Sequence, residues 1–148
     1  VKGHPSCVAP LKRPRLTPNP AIVIFPDASI MPFGTPGADV QCQAMLQVLL
    51  NITDFGYSPQ TAVEIPRFAS YNAPDSFEPH TALPNVLKVE NSINTSVRNK
   101  LKTKGHNIEV WPDQIWKAGA ICAIRYNQDR HLLQGAADPR RPCLALGR

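Results

Sequence analysis

The sequence predicts a mixed fold of strands and helices, either α/β or α+β, with much antiparallel strand pairing. Three observations support this prediction. Two short apolar runs separated by a turn come first, two helical patterns follow, and further strand patterns with one helix between them fill the rest of the chain. The 148 residues suffice for one compact domain, and no repeat or second domain boundary divides them.

The first two apolar runs predict an antiparallel hairpin. Ala21 to Phe25 is continuously apolar, which is the pattern of a strand buried on both faces. Pro26-Asp27-Ala28 forms the turn, and Ser29 to Phe33 is the second strand. We expect the proline-punctuated segment before this hairpin to be an extended loop.

Two helical patterns follow the hairpin. Asp39 is a suitable N-cap, because its carboxylate can accept hydrogen bonds from the first turn of a helix. Ser58-Pro59 begins a second, short helix that extends through Val63, since proline is favoured at the first helical position. The first helix carries one apolar stripe, formed by Val40, Ala44, Met45, Val48, Leu49 and Ile52.

The second half of the chain predicts one more helix and four strands. Residues 67–84 are irregular, and the helix covers Ile93 to Lys104 with Gly105 as its cap. The predicted strands are Val86 to Glu90, Ile108 to Trp111, Gly119 to Arg125 and His131 to Leu133.

The composition argues against several classes of function. The net charge is +5, but the basic clusters at residues 12–15 and 140–141 lie in proline-containing segments without interleaved aromatic side chains. Single-strand nucleic-acid binding sites require such aromatic residues. No apolar run reaches the roughly 18 residues of a membrane span. We therefore expect neither a nucleic-acid partner nor a membrane span.

The four cysteines do not predict a metal site. Cys7, Cys42, Cys122 and Cys143 lie far apart without CxxC spacing, and the histidines show no metal spacing either, so we expect no metal and no cofactor. Cys42 and Cys122 stand among apolar residues and are expected to be small buried side chains. A disulfide framework is not expected at this density of cysteines, and a single bridge is left open.

The segment from Gly34 to Asp39 is the most chemically suggestive part of the sequence. A glycine-containing turn leads there from a strand into a helix N-terminus, where backbone N–H groups have no partner within the helix. Such a turn can bind phosphate, carboxylate or a developing oxyanion. The simpler interpretation is a tight turn that needs glycine for backbone freedom alone. Near the chain end, residues 138–141 are expected to form a salt-bridged turn without chemistry.

Five segments resemble, in order and with similar gaps, the small subunit of the gamma-glutamyltranspeptidase family. Phe33 to Asp39 resembles its Gly-Ser/Thr-Pro-Gly-Gly turn. The other four are residues 12–14 with 17–23, the helix up to Ile52 with Asp54-Phe55-Gly56, residues 62–68 with Ile65-Pro66-Arg67-Phe68, and residues 135–140 with Asp138-Pro139-Arg140. The resemblance runs nearly end to end.

This resemblance implies an α+β fold, the αββα four-layer sandwich of N-terminal-nucleophile hydrolases. Residues 1–148 would be a single, partial domain, the distal portion of the small subunit. In the family a threonine at the new N-terminus of that subunit is the nucleophile, and its own α-amino group is the base. The segment Val1 to Leu11 contains no matching threonine, so the nucleophile is expected either to lie upstream of this chain or to be absent.

The resemblance also assigns roles to residues of this chain. The N–H groups of Gly37 and Ala38 would form the oxyanion hole, and Ala38, which replaces a glycine, is expected to demand a non-glycine backbone conformation. Thr17, Arg15 and Thr35 would bind the substrate. The family's carboxylate-binding Ser-Ser pair corresponds here to Leu16-Thr17, and the match is closer to the divergent amidohydrolases of the family.

The implied function is cleavage of γ-glutamyl or related amides, such as glutathione, through an acyl-enzyme. Its partners would be this small-molecule substrate and the upstream, large-subunit portion of the same precursor. An alternative is a non-catalytic remnant that keeps only the fold and an anion-binding turn. A third possibility is an unrelated anion-binding module. Because the strand at residues 21–25 would present a bare edge without upstream strands, we expect the isolated chain to be poorly soluble.

Overall fold

The computed structural model describes residues 3–5, 7–13 and 17–147 and contains three α-helices and seven strands in that part of the chain. Two short 3-10 turns lie at Ala38–Val40 and Trp116–Ala118. The elements are, in chain order, β1 (Ala21–Ile24), β2 (Ile30–Gly34), α1 (Gln41–Thr53), α2 (Pro59–Glu64), β3 (Phe68–Ser70), β4 (Val86–Glu90), α3 (Thr95–Thr103), β5 (Asn107–Trp111), β6 (Cys122–Asn127) and β7 (Leu132–Ala137).

The first sheet has the strand order β1-β2-β6-β7 and is antiparallel throughout. The predicted hairpin of β1 and β2 is confirmed, with Ala21 opposite Phe33. The prediction that β1 is buried on both faces is wrong, because Ile22 and Ile24 are 70% and 74% exposed. The register places these two on the same side as Ile124 and Leu133, away from the helices. We call this side, which carries Ile22, Ile24, Ile124 and Leu133, the outer face.

The second sheet has the strand order β3-β4-β5. Strands β4 and β5 are parallel, and α3 makes the crossover between them that parallel strands require. Strand β3 lies in the segment predicted to be irregular, and its three residues were too short a run to predict a strand. The other strands and the three helices were predicted, although β6 begins later than expected and β7 extends further.

Helix α1 packs its predicted stripe against the inner side of the first sheet. Its buried side chains join Met31 and Phe33 of β2 and Ala123 and Ala136 of β6 and β7 in one core. Leu49 packs at the margin of that core, and the rest of the stripe is buried. No helix in the described part of the chain has the length and apolarity needed to cross a membrane.

Helix α2 begins as predicted, with the Ser58 hydroxyl accepting a hydrogen bond from the Thr61 amide at 3.2 Å and Pro59 as its first residue. The N-cap predicted at Asp39 is wrong, because Asp39 lies inside the 3-10 turn that precedes α1 and no side chain caps that helix. Cys42 and Cys122 are exposed rather than buried. Cys42 lies off the stripe of α1, and Cys122 is on the outer-face side of β6.

Candidate functional site

The turn after β2 places two consecutive residues in positive-φ backbone conformations. Gly37 has φ 139° and Ala38 has φ 50°. The expectation that Ala38 takes an ordinary non-glycine conformation is wrong, because it occupies the left-handed region that glycine enters without strain. Holding alanine there costs on the order of 1 kcal/mol. The turn therefore has a glycine-type backbone at position 38 although the residue there is alanine.

The same two residues carry backbone N–H groups that are available to a ligand. Within residues 3–5, 7–13 and 17–147, neither the Gly37 nor the Ala38 amide donates to a protein acceptor. Gly37 is half-buried and Ala38 is exposed. Adjacent donors of this kind suit a carboxylate or a developing oxyanion. The oxyanion role of Gly37 and Ala38 stays a prediction.

Thr35 holds the turn in place through hydrogen bonds of its hydroxyl and its carbonyl group. Its buried hydroxyl accepts a hydrogen bond from the Ala120 amide at 2.7 Å and donates to the Pro36 carbonyl, also at 2.7 Å. The Thr35 carbonyl accepts from the Gln41 side chain at 2.9 Å. Because the hydroxyl proton is already engaged, the arrangement favours a structural role. The substrate-binding role assigned to Thr35 stays a prediction.

The loop before β6 is the part of this site that sequence reasoning missed. Gly119 has φ 86°, and a Cβ there would lie 3.0 Å from the Thr35 hydroxyl oxygen and 3.1 Å from the Ala44 Cβ. Only glycine lets this loop approach the turn so closely. Its neighbour Ala120 then donates to Thr35. The loop and the turn are 85 residues apart in sequence, so no local sequence pattern indicates that they are in contact.

Four buried charged side chains form an ion network behind this loop: Arg67, Glu90, Asp138 and Arg140. Asp138 binds both arginines, and Arg140 also binds Glu90. The predicted salt bridge within residues 138–141 is thus confirmed for Asp138 and Arg140, at 3.1 Å. Two positive and two negative groups leave no net charge, which a buried cluster needs to be tolerated.

The network holds the loop by hydrogen bonds to its backbone. The Arg67 guanidinium donates to the Ala118 carbonyl, and the Asp138 carboxylate accepts from the Ile121 amide, both at 2.9 Å. The network therefore reaches the turn through the loop that binds Thr35. The sequence motifs around Arg67 and Arg140 indicate both arginines, whereas no motif indicates Glu90.

The pKa values of the two arginines shift in opposite directions. Burial lowers the pKa of Arg67, and the charge of Arg140 lowers it further, against the opposing effect of Asp138. Burial also acts to lower the pKa of Arg140, but hydrogen bonding and attraction from Glu90, together with Asp138, outweigh it and the pKa lies above its ordinary value. Arginine titrates so far above neutral pH that both groups stay charged.

A cleft of about 810 Å³ lies beside the turn. The structure brings Thr17 into this cleft together with Thr35, although the two are far apart in sequence. The remaining wall is largely apolar and is formed by Pro18, Asn19, Pro20, Gly34, Pro36, Gln41 and Phe77. Arg15, the third residue assigned to substrate binding, lies outside the described residues.

Asp39 ties a neighbouring loop to the turn. Its carboxylate accepts a hydrogen bond from the Ser76 amide at 2.7 Å. The adjacent Phe77 lines the cleft. The Asp75 carboxylate stabilises the loop by accepting a hydrogen bond from the Phe77 amide at 2.8 Å. Among the described residues, no group of three or more His, Cys, Asp or Glu side chains could hold a metal ion.

Comparison with known proteins gives one family over the whole chain. The sequence profile of the family described as gamma-glutamyltranspeptidase matches residues 1–147. The chain is 30% identical to the glutathione hydrolase-like YwrD proenzyme of Bacillus subtilis over 147 residues, which are 99% of the chain and 26% of that protein. It is also 30% identical to the oxamate amidohydrolase proenzyme of Klebsiella pneumoniae, over 97% of the chain and 26% of that protein. The chain thus spans about a quarter of the length of these curated relatives.

A solved structure gives the same result for the fold. The gamma-glutamyltranspeptidase of Pseudomonas nitroreducens, in complex with L-DON, superposes with a TM-score of 0.72 at 28% identity, over 100% of this chain and 70% of that one. The α+β fold of an N-terminal-nucleophile hydrolase, which the resemblance implied, is thereby confirmed.

Proposed function

The chain belongs to the gamma-glutamyltranspeptidase family, and on this premise we propose that it is the distal part of an amidohydrolase that cleaves γ-glutamyl or related amide bonds. The observation that supports this most is the pair of accessible amides at Gly37 and Ala38, beside a cleft lined by Thr17. The threonine nucleophile would lie upstream of Val1 in the same precursor. Both curated relatives described above are named proenzymes, in agreement with a precursor of this kind.

The proposed role of this chain is to bind the substrate and to stabilise the charge that develops on it. Attack by a threonine on an amide carbonyl produces a tetrahedral intermediate with a negatively charged oxygen. The Gly37 and Ala38 amides would donate to that oxygen, and one such donor contributes about 3–4 kcal/mol to lowering the barrier. Thr35, the loop at Gly119 and the ion network would hold these donors in place before the reaction begins.

Thr17 would bind the acyl part of the substrate. Thr17 lines the cleft with Thr35 and Gln41, whose polar groups already bond within the chain. Thr17 is therefore the residue we expect to donate to a substrate carboxylate or carbonyl. Arg15 precedes it by two positions and is proposed to add positive charge to the same site.

The rest of the precursor is proposed to cover the outer face of the first sheet. Ile22, Ile24, Ile124 and Leu133 are each more than half exposed there. Strand β1, which carries two of them, is also the edge of that sheet in the described part of the chain. A second layer of strands would bury these side chains and pair with the edge.

A test on the whole precursor separates these roles. In an assay of γ-glutamyl anilide cleavage, Thr17→Ala should raise KM several-fold and change kcat little, since a lost neutral hydrogen bond weakens binding by about 1 kcal/mol. Thr17→Ser keeps the hydroxyl and serves as the matched control. Unchanged kinetics in Thr17→Ala would remove Thr17 from the site. A parent protein that cleaves neither γ-glutamyl nor simpler anilides would overturn the proposed function itself.

A further inference from the structure

The C-terminal segment returns across the first sheet on its outer-face side. A Cβ placed on Gly135 of β7 would lie 2.8 Å from the Ala145 Cβ, so Ala145 sits directly on this glycine. Cys122, Gly135 and residues 144–147 line one cleft of about 1020 Å³. The segment after the ion network therefore lies over β6 and β7 and does not lead away from them.

This return brings Cys143 to Cys122. In the sheet, Cys122 pairs with Ala137, and Ile124 pairs with Gly135. Side chains two residues apart in an extended chain face the same way. On an antiparallel return, Cys143 therefore lies over Ala137 in the same way that Ala145 lies over Gly135. The intervening Leu144 is 85% exposed, as expected for a side chain that points away from the sheet.

The two thiols are neighbours. The Cys143 thiol is close enough to act on the pKa of Cys122, and both cysteines are free. Partial desolvation raises the pKa of the Cys122 thiol, and its interaction with the Cys143 thiol raises it further. Cys122 is fixed by its pairing in β6, whereas Cys143 belongs to a segment without regular structure. That segment can adjust to the narrow range of Cβ separations, near 3.8 Å, that a disulfide needs.

We propose that Cys122 and Cys143 are a disulfide-forming pair, and that their oxidation fastens the C-terminal segment to the outer-face side of the first sheet. The bridge would enclose β6, β7 and the Asp138–Arg140 part of the ion network in one covalent loop. Closing such a loop restricts the unfolded chain and so stabilises the folded one. The site takes a low-molecular-weight disulfide, such as glutathione disulfide, as its oxidant.

The exchange proceeds in two balanced steps. One cysteine thiolate attacks a sulfur of glutathione disulfide, which forms a mixed disulfide and releases the first glutathione thiol. The second cysteine, as thiolate, then attacks the protein sulfur of that mixed disulfide and releases the second glutathione thiol. Two protein thiols are oxidised, and one disulfide molecule is reduced to two thiols.

Peptide mapping without reduction tests the proposal on the whole precursor. The folded precursor is incubated with glutathione disulfide, its remaining thiols are alkylated, and it is digested with trypsin. We expect a cross-linked pair of peptides, residues 118–125 joined to residues 141–148, to exceed every other cysteine pairing at least tenfold. In Cys143→Ser, Cys122 should stop at the mixed disulfide with glutathione. The exposed Cys42 provides a control within the same molecule and should also carry glutathione without forming a bridge.

Two glycine substitutions test whether bridge formation depends on the packing of Ala145 against Gly135 or only on the short sequence separation of the two cysteines. Gly135→Ala places a Cβ against Ala145 and should slow bridge formation several-fold, while Gly147→Ala, whose Cβ would meet nothing within 4 Å, should leave the rate unchanged. The oxidised chain should also unfold at a higher urea concentration than the reduced one. A mixture of all cysteine pairings, or bridge formation only in urea, would overturn the proposal.

Discussion

Gly37 and Ala38 stand side by side with positive φ, and only one of them is a glycine. The φ of 139° at Gly37 is essentially restricted to glycine, whereas the φ of 50° at Ala38 is open to alanine at a cost. At the scale of single residues, the site thus depends on one position that requires glycine and one that holds alanine at a cost in strain.

Reciprocal substitutions test this difference. Gly37→Ala should lower the free energy of unfolding by about 1–3 kcal/mol, because alanine cannot take the native backbone conformation without strain. Ala38→Gly should change it by less than about 1 kcal/mol, since relief of strain offsets the greater freedom of the unfolded chain. Urea unfolding monitored by circular dichroism measures both. Equal losses in the two variants would contradict the assignment of strain.

At the scale of elements, the ion network joins the two sheets, between which no strands pair in the described part of the chain. It links the end of α2, the end of β4, the loop before β6 and the residues after β7. Each of its four charges has a partner of opposite sign. Because the groups are buried, the loss of one charge leaves another uncompensated.

Asp138→Asn tests the network. Removing this charge should lower the free energy of unfolding by about 3–5 kcal/mol, the usual effect of breaking a buried ion pair. Asp27→Asn is the control, because Asp27 pairs with Arg125 at 3.0 Å on the exposed end of the β1–β2 hairpin. Asp27→Asn should lower the free energy of unfolding much less than Asp138→Asn does. Equal losses in urea unfolding would show that burial does not set the strength of the network.

The same hairpin predicts a dependence on pH. Hydrogen bonds from Ser29 hold the pKa of Asp27 below its ordinary value against the opposing effect of desolvation, and Arg125 lowers it further. The stabilisation is present above the ordinary pKa, about 3.9, and is lost as the pH falls through the lower folded value. Asp27→Asn should therefore lose less stability than the parent between neutral pH and about pH 3. Equal losses in urea unfolding at the two pH values would contradict this prediction.

At the scale of the whole molecule, the two sides of the first sheet differ. The inner side packs against α1 and α2, whereas Ile22 and Ile24 on the outer face remain exposed in the chain described here. Exposed apolar side chains on an edge strand favour association with other chains.

Charged substitutions on the outer face test this asymmetry. Ile22→Lys combined with Ile24→Lys should reduce self-association of the isolated chain in light scattering and sedimentation. Leu46→Lys is the control, because Leu46 is 56% exposed on α1, away from this face. In the whole precursor, the double variant should instead weaken assembly. Unchanged association of the isolated chain in the double variant would show that another surface is responsible.

The sequence by itself determined most of the elements and the family. The apolar stripe of α1, the hairpin and the Ser58-Pro59 start of α2 follow from local patterns, and the structure contains all of them. The five segments that include Gly37, Arg67 and Arg140 together identified the family, because each is a short run of adjacent residues that the sequence shows directly.

Only the tertiary structure decided what these residues contact and which faces stay exposed. The partners of Arg67, the approach of Gly119 to Thr35 and the return of Cys143 to Cys122 join residues that are distant in sequence. A continuous apolar run such as β1 gives the same pattern whether one face or both are covered. Burial depends on what packs against a strand, and that is a property of the assembled layers and not of the strand's own residues.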